Sequence, residues 1–521
     1  MDGVGPPRFE LGTTRSSAER SPSLSYGPFS CVLYLLSSSQ VINISLFKYS
    51  STMEEEIKKA IDFVLLNHAK YADVRLERGY ATVIDLRDDV FREMSYGIDQ
   101  GMGVRVLYEN SWGFASTNNL AKPALKDTFE NALNIGRALS LSESDEKSAT
   151  ITIADAASRN DHFKLKPEIN PEDVSIEEKK RMVKEAYDAA KEHSDLIKSI
   201  SILYLDGYEE QIYANSDGSY IVMETPAVFM RAGVVAKKGD VLQEGRESVG
   251  AVGGFEFIKG ENPTTVAVKA ADKAVRLLDA ELPPAGELPV IMDNRLTGVF
   301  MHEALGHAAE ADHVLYGESI LKGKLGAEIA YEGLTVADDP TIEQSHGYYR
   351  YDDEGMRSNR TEMIKDGVLV SYLHSRETAG RLDAIPTANA RAADYSDIPI
   401  VRMSNTVIEE GDWNFDEMRA DIPFGIYAKG MRGGQVDTVK GEFQFSAEEA
   451  FLIENGTLSK RLKNVSLSGR TLDVLKNIDA VGNDKKRGTI GFCGKDGQEV
   501  PVSEYAPHVR VTKILVGGAS P

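Results

Sequence analysis

Cysteine is nearly absent from this chain: Cys31 and Cys493 are the two in 521 residues. That excludes a disulfide framework and points to a reducing, cytoplasmic compartment. Apolar runs of bilayer-spanning length are missing too, which argues against membrane helices. Cationic residues are in deficit, 59 Lys and Arg against 81 Asp and Glu, a net charge of −22. A chain this acidic offers no general nucleic-acid-binding surface. What is present, 42% hydrophobic and 27% charged residues, reads as globular and soluble. The length suffices for two to four domains.

The first 52 residues differ from the rest. They are rich in Ser and Pro and show neither helical nor strand period. Their apolar run, Cys31 to Leu36, is too short for a signal-peptide core. At Met53 an amphipathic helix opens with acid in its first turn, Glu54, Glu55 and Glu56. Residues 1–52 are therefore read as a disordered or spurious leader, and Met53 as the start of the folded body.

The body divides by its punctuation. Ala72 to Glu77 alternates apolar and polar, as a half-buried strand does. Met102–Tyr108 and Trp112–Ser116 continue in strand, and Pro123–Leu139 reads as a helix. Residues 140–170 are polar and read as a linker. Ser175-Ile176-Glu177-Glu178 is a capping box opening a helix to about His193. Turn signals at Asn215–Gly218 and Lys237–Asp240 separate further strands. A helix follows over about Thr264–Leu278. Leu282-Pro283-Pro284-Ala285-Gly286 marks a boundary. This gives an N-terminal α+β domain over 53–285, with sub-segments at about 53–140 and 165–282. The C-terminal β-rich domain covers 286–521, with hairpin texts at Ile364–Leu369 and Ile453–Leu458. The fold class is α+β: an antiparallel sheet flanked by helices, then a largely β domain carrying a metal-binding helix.

The chemistry concentrates at Met301–His313, which holds three of the nine histidines. His302-Glu303-Ala304-Leu305-Gly306-His307 is one residue longer than the His-Glu-x-x-His of metallopeptidases. Imidazoles bind zinc, and a glutamate beside them can activate a water. On a regular helix, i and i+5 differ by about 140° and do not share a face. A π-bulge would bring His302 and His307 together, and Gly306 is where the distortion costs least. Asp293 or Asn294 can cap a helix with Leu296, Val299 and Phe300 on its apolar side.

A catalytic zinc takes three protein ligands and an open position. For the third ligand the residues leave Glu310, Asp312, His313 and Cys493 open. Cys493, between glycines and beside Lys495, reads as an exposed thiolate; the alternative is an inert buried cysteine. Tyr351 and His374 are oxyanion candidates by residue type alone.

Several separated blocks resemble the TldD/PmbA family, named as modulators of DNA gyrase and assigned as metallopeptidases. They include Gly103-Val104-Arg105-Val106-Leu107, Trp112-Gly113-Phe114-Ala115, the His-Glu-x-x-x-His string and Tyr351-Asp352-Asp353-Glu354-Gly355. They continue with Arg402-Met403-Ser404-Asn405-Thr406, Gly433-Gly434-Gln435-Val436 and Cys493-Gly494-Lys495-Asp496-Gly497-Gln498. The intact motif resembles the TldD branch. The resemblance implies Zn2+ on His302, His307 and Cys493, with Glu303 as the catalytic carboxylate and Glu310 as a supporting or alternative ligand. It implies hydrolysis of unfolded or short peptides, and pairing with a TldE/PmbA-like sister subunit or with a second copy. The alternative is a non-enzymatic regulatory subunit of a peptide-processing or topoisomerase-modulating complex, which would have no need of Glu303.

Overall fold

The structure is a computed structural model that describes residues 51–142 and 150–518. The leader expectation, apart from its last two residues, and residues 143–149 of the 140–170 linker lie outside the described residues. Strands β1 (Ala69–Arg87), β2 (Val90–Tyr108), β3 (Ser111–Thr117), β4 (Asn160–Lys164), β5 (Ile197–Asn215), β6 (Tyr220–Lys238) and β7 (Val241–Val252) form one sheet. Its order is β3-β2-β1-β5-β6, with β4 and β7 sharing the outer edge of β6. All pairs are antiparallel except β4 with β6. Part of the expected linker is thus a strand.

Four of these strands are nineteen residues long. They are long because each serves two cores. Near one end, Val74, Val104 and Ile212 pack against Ile57, Val64, Phe129 and Leu133 of the helices Ser51–Leu66 and Lys122–Ser142. Near the other, Ile84, Ile202 and Val234 pack against Val183, Tyr187, Ala270 and Ala274 of Ile176–Glu192 and Pro263–Leu277. Ser175 caps the third helix, its hydroxyl accepting from the Glu178 N–H at 3.2 Å.

One expectation needs correcting. The alternation at Ala72–Glu77 predicts a solvated polar face, yet Asp73, Arg75 and Glu77 are buried. The C-terminal half covers that face. Arg105 donates to Asp73 and to Glu354, the latter at 3.1 Å, and Arg75 donates to Glu77 at 3.0 Å and to the Asp394 carbonyl at 3.1 Å. Buried charges persist only when paired in this way.

From Gly286 onward two sheets enclose a third core. In the first, strands Phe424–Asp437, Gly286–Met292, Val509–Gly518, Val465–Arg470 and Glu442–Glu454 pair in that order. Pairing of Phe424–Asp437 with Glu442–Glu454 closes the ring. The second sheet runs Val368–Leu369, Thr361–Lys365, Val336–Asp338, Asn405–Ile408, Gln498–Ala506, Lys486–Lys495. The expected hairpins are present, with Ile364 opposite Leu369 and Ile453 opposite Leu458. The helix Asn294–Met301 contacts both sheets, burying Leu296, Phe300 and Met301 in their shared core. The fold is α+β throughout, and no described helix is long and apolar enough to cross a membrane.

Candidate metal centre

Asp293 starts the motif helix, its carboxylate accepting from the Leu296 N–H at 2.8 Å. The helix then widens. Residues His302–Gly306 form a π turn, and the His307 N–H donates to the His302 carbonyl, an i→i+5 bond. The turn brings the two rings to 5.3 Å between centroids. Gly306 itself has ordinary helical angles, φ −57° and ψ −52°. Its glycine is required for space rather than for the distortion: a Cβ there would lie 1.9 Å from Met403 Sδ.

Cys493 arrives from the strand Lys486–Lys495, the edge of the second sheet, where it pairs with Val500. Its Sγ lies 3.4 Å from His307 Nε2. Ligand atoms of His302, His307 and Cys493 fall within 4.8 Å of one another. Two ligands on one tetrahedral zinc, at about 2.0 and 2.3 Å from it, stand about 3.5 Å apart, so the nitrogen–sulfur donor set fits that metal. Cys493 is 5% exposed, so the exposed-thiolate expectation is wrong. Gly491 and Gly494 do not serve close approach either, since nothing stands within 4 Å of a Cβ at either.

The ring nitrogens remote from the cluster are held. Thr406 Oγ1 lies 3.2 Å from His302 Nδ1, and Glu310 Oε2 lies 3.0 Å from His307 Nδ1. Such partners fix ring orientation and tautomer, leaving the other nitrogen for a metal. Glu310 thus sits across the His307 ring from Cys493, which places it behind that imidazole. Its carboxylate also pairs with Lys495 at 3.1 Å. Lys495 lies 2.7 Å from Asp312 as well, so the Glu310–Asp312–His313 group already contains a cation. Arg402, fully buried, donates to the carbonyls of Cys493 and Gln498 and ties the cysteine strand down.

The charges reinforce one another. Burial would raise the Cys493 thiol, but the His307 and His302 imidazoles bring it well below its usual value. Burial would lower His302, yet Cys493 and Glu303 push it up to about 9. Glu310 would be raised by burial, and His307 with Lys495 holds it at about 2 instead. Each of these shifts favours the charged form, negative on the thiol and positive on the imidazoles, so the three groups attract one another. Glu303 is half-exposed, its Oε2 3.8 Å from His307 Nε2, on the side of the ring that faces Cys493. Glu504, on the hairpin partner strand, is also near. Burial and the charges of Glu303 and Cys493 push it up to about 8, partly offset by His302.

The remaining sequence candidates stand elsewhere. The Tyr351 hydroxyl donates to Asp161, and His374 Nδ1 pairs with Thr378 Oγ1 at 3.2 Å in a helix cap. Sequence reasoning missed Thr406, Arg402 and Glu504. Thr406 and Arg402 lie in a quoted block whose role spacing could not reveal, and Glu504 had no local signal.

Fold and site together define the class, a metallopeptidase. The models for domain 1, the central domain and the C-terminal domain of the PmbA/TldA metallopeptidases match residues 72–136, 169–278 and 285–518. The chain belongs to the PmbA/TldD metallopeptidase family. It is 46% identical over 446 residues to a metalloprotease of Methanocaldococcus jannaschii, covering 86% of this chain and 97% of that one. It is 32% identical to the zinc metalloprotease TldD homolog of Saccharolobus solfataricus, covering 91% and 100%. The crystal structure of TldE from Thermococcus kodakarensis shares the fold, with a TM-score of 0.71, 18% identity, and coverage of 89% and 100%.

Proposed function

We propose that the chain is a zinc-dependent peptidase acting on unfolded or short peptides, with His302, His307 and Cys493 as ligands. The observation that carries the reading is the convergence of two imidazoles and one thiol within 4.8 Å. Each imidazole is backed at Nδ1, by Thr406 or Glu310, and so presents Nε2. Zinc held there supplies Lewis acidity toward a water and the scissile carbonyl. Glu303 takes the proton from the attacking water and hands it to the leaving amine. Glu303 is not among the three ligands, so its role is proton transfer. Such assistance is worth about 10²–10⁴ in rate.

An extended peptide can lie along the outer edge of Lys486–Lys495 by strand addition, which reads backbone more than sequence. In this reading residues 53–285 shape the approach and residues 286–521 carry the chemistry. The TldE neighbour supports pairing with a TldE-like sister subunit; pairing with a second copy is the other form. The cytoplasm is the proposed location.

The test is metal analysis of purified protein together with digestion of an unfolded peptide. Stoichiometric zinc and cleavage abolished by a chelator and restored by zinc support the reading. Cleavage that survives complete metal removal overturns it.

A further inference from the structure

A cavity of about 200 Å³ lies away from the metal cluster, between the middle of the N-terminal sheet and loops of the C-terminal half. The strand Lys486–Lys495 separates the two sites. Cys493 faces the metal cluster, whereas its neighbour Phe492 points the other way and packs on His346 at 5.1 Å. His346 lines the cavity, is 1% exposed, and has no hydrogen-bond partner at either ring nitrogen among the described residues. Both ring nitrogens are buried in the wall, so His346 closes that end of the cavity.

Glu77 and Glu209 line the sheet side of the cavity and Asp353 the facing loops, with Arg78, Arg350 and Arg391 the cations among the lining residues. Glu77 is paired with Arg75, and Asp353 accepts from Gln211 at 2.7 Å and from the Ala392 N–H at 2.8 Å. Glu209 has neither a hydrogen bond nor an ion pair among the described residues. Burial and then the charge of Asp353 push its carboxyl up to about 7, against the pull of Arg75. Tyr80 and Tyr208, stacked at 6.2 Å, supply an aromatic wall beside it. These carboxylates do not converge as metal ligands: among the described residues, groups of three or more such side chains meet at the two clusters described above and not here. The cavity therefore suits an extended organic cation rather than a metal ion.

We propose that this cavity binds a primary ammonium group, Glu209 accepting from the ammonium beside the Tyr80–Tyr208 wall. The shared chemistry has two sources, a peptide amino terminus or a lysine side chain.

Calorimetric titration of the full chain, metal included, separates them. The probes are alaninamide for the amino terminus, N-acetyl-lysine methylamide for the side chain, and N-acetyl-alaninamide as the neutral control. Binding of either amine with no binding of the control, weakened about tenfold or more by Glu209→Gln, supports the proposal. Whichever amine binds more tightly names the source. Because Glu209 has neither a hydrogen bond nor an ion pair among the described residues, and burial with Asp353 disfavours its charge, Glu209→Gln does not lower the melting transition, and that is measured alongside. Binding of the neutral control as strong as the amines, unchanged amine binding in Glu209→Gln, or no binding of either amine overturns it. So does displacement of the amine by calcium. Zinc content and peptidase activity are separate readouts, so failure here leaves the metal-site reading standing, and the reverse.

Discussion

Replacing Gly306 by alanine separates two explanations of the glycine, because they predict opposite signs. Gly306 is helical, with φ −57° and ψ −52°. If only local conformation mattered, alanine would stabilise the helix by about 1 kcal/mol. Space predicts the reverse. The new methyl would stand 1.9 Å from Met403 Sδ, 3.1 Å from its Cε and 3.4 Å from its Cγ. Ordinary contact needs about 3.5–4.0 Å, so the thioether must move by more than 1 Å. Met403 has no surface to move into: it is fully buried in the core that contains Met301, Leu305 and Cys493. Overpacking of this kind costs about 1–3 kcal/mol. Less the helix gain, the net loss is about 0–2 kcal/mol. It shows as a lower thermal midpoint, about 2–4 °C per kcal/mol for a domain of this size.

The double variant Gly306→Ala/Met403→Ala supplies the control. Met403→Ala alone leaves a cavity and costs about 2–5 kcal/mol. The added methyl occupies part of that cavity, so the two changes together cost less than their sum. Zinc content is measured on the same samples, since a shifted Met403 disturbs the turn that joins His302 to His307. A more stable Gly306→Ala protein with full zinc, or strict additivity in the double variant, would refute the packing argument.

Three further outcomes follow from the same geometry. Cys493→Ala lowers zinc content and peptide cleavage together, whereas Glu303→Ala keeps zinc and loses turnover; metal analysis of both beside a digestion assay checks this, and full zinc in Cys493→Ala returns the third-ligand role to Glu310. Glu310→Gln keeps the ligands but removes the charge behind His307, so zinc affinity falls about 10–100-fold in competition with a chelator; unchanged affinity removes Glu310 from the site. His346 gives a pH test: its folded pKa is depressed from 6.5 to about 3, so the unfolded chain takes up the proton first. Its share of stability is intact above about pH 6.5 and declines as pH falls toward about 3, by up to about 4–5 kcal/mol at about 1.4 kcal/mol per unit. Denaturant titrations across that window, with His346→Phe beside the parent, should show a shallower pH slope in the variant.

What was legible in the sequence was local. The Ser175 cap, the Asp293 cap and the i,i+5 mismatch each lie within a few residues, where backbone geometry alone fixes the outcome. The mismatch even specified its remedy, and the His302–Gly306 π turn supplies it. The polar side of β1 was misread because alternation shows which residues differ, not what covers them. Asp73 and Arg75 are buried by Arg105, Glu354 and the Asp394 backbone, up to 319 residues away.

Cys493 is the harder case. It meets His307 across 186 residues, and neither composition nor period connects them; residue chemistry leaves it one of four candidates, and the family resemblance chooses it. The structure adds a reason the cysteine suits that place. Two histidines on a π turn present their Nε2 atoms into a core of Met301, Leu305 and Met403, and a third side chain must reach them without adding bulk. A carboxylate from the same helix cannot, because Glu310 is committed to the far nitrogen of His307 and to Lys495. A small, polarisable thiol on a strand pinned by Arg402 can, and its negative charge is compensated there by the imidazoles it faces. That strand also places Lys495 two residues on, on the same face as Cys493, where it neutralises the carboxylate that orients His307. One short stretch thus supplies both the candidate ligand and the counter-charge for the opposite ligand's support, which is why the two cannot be altered independently.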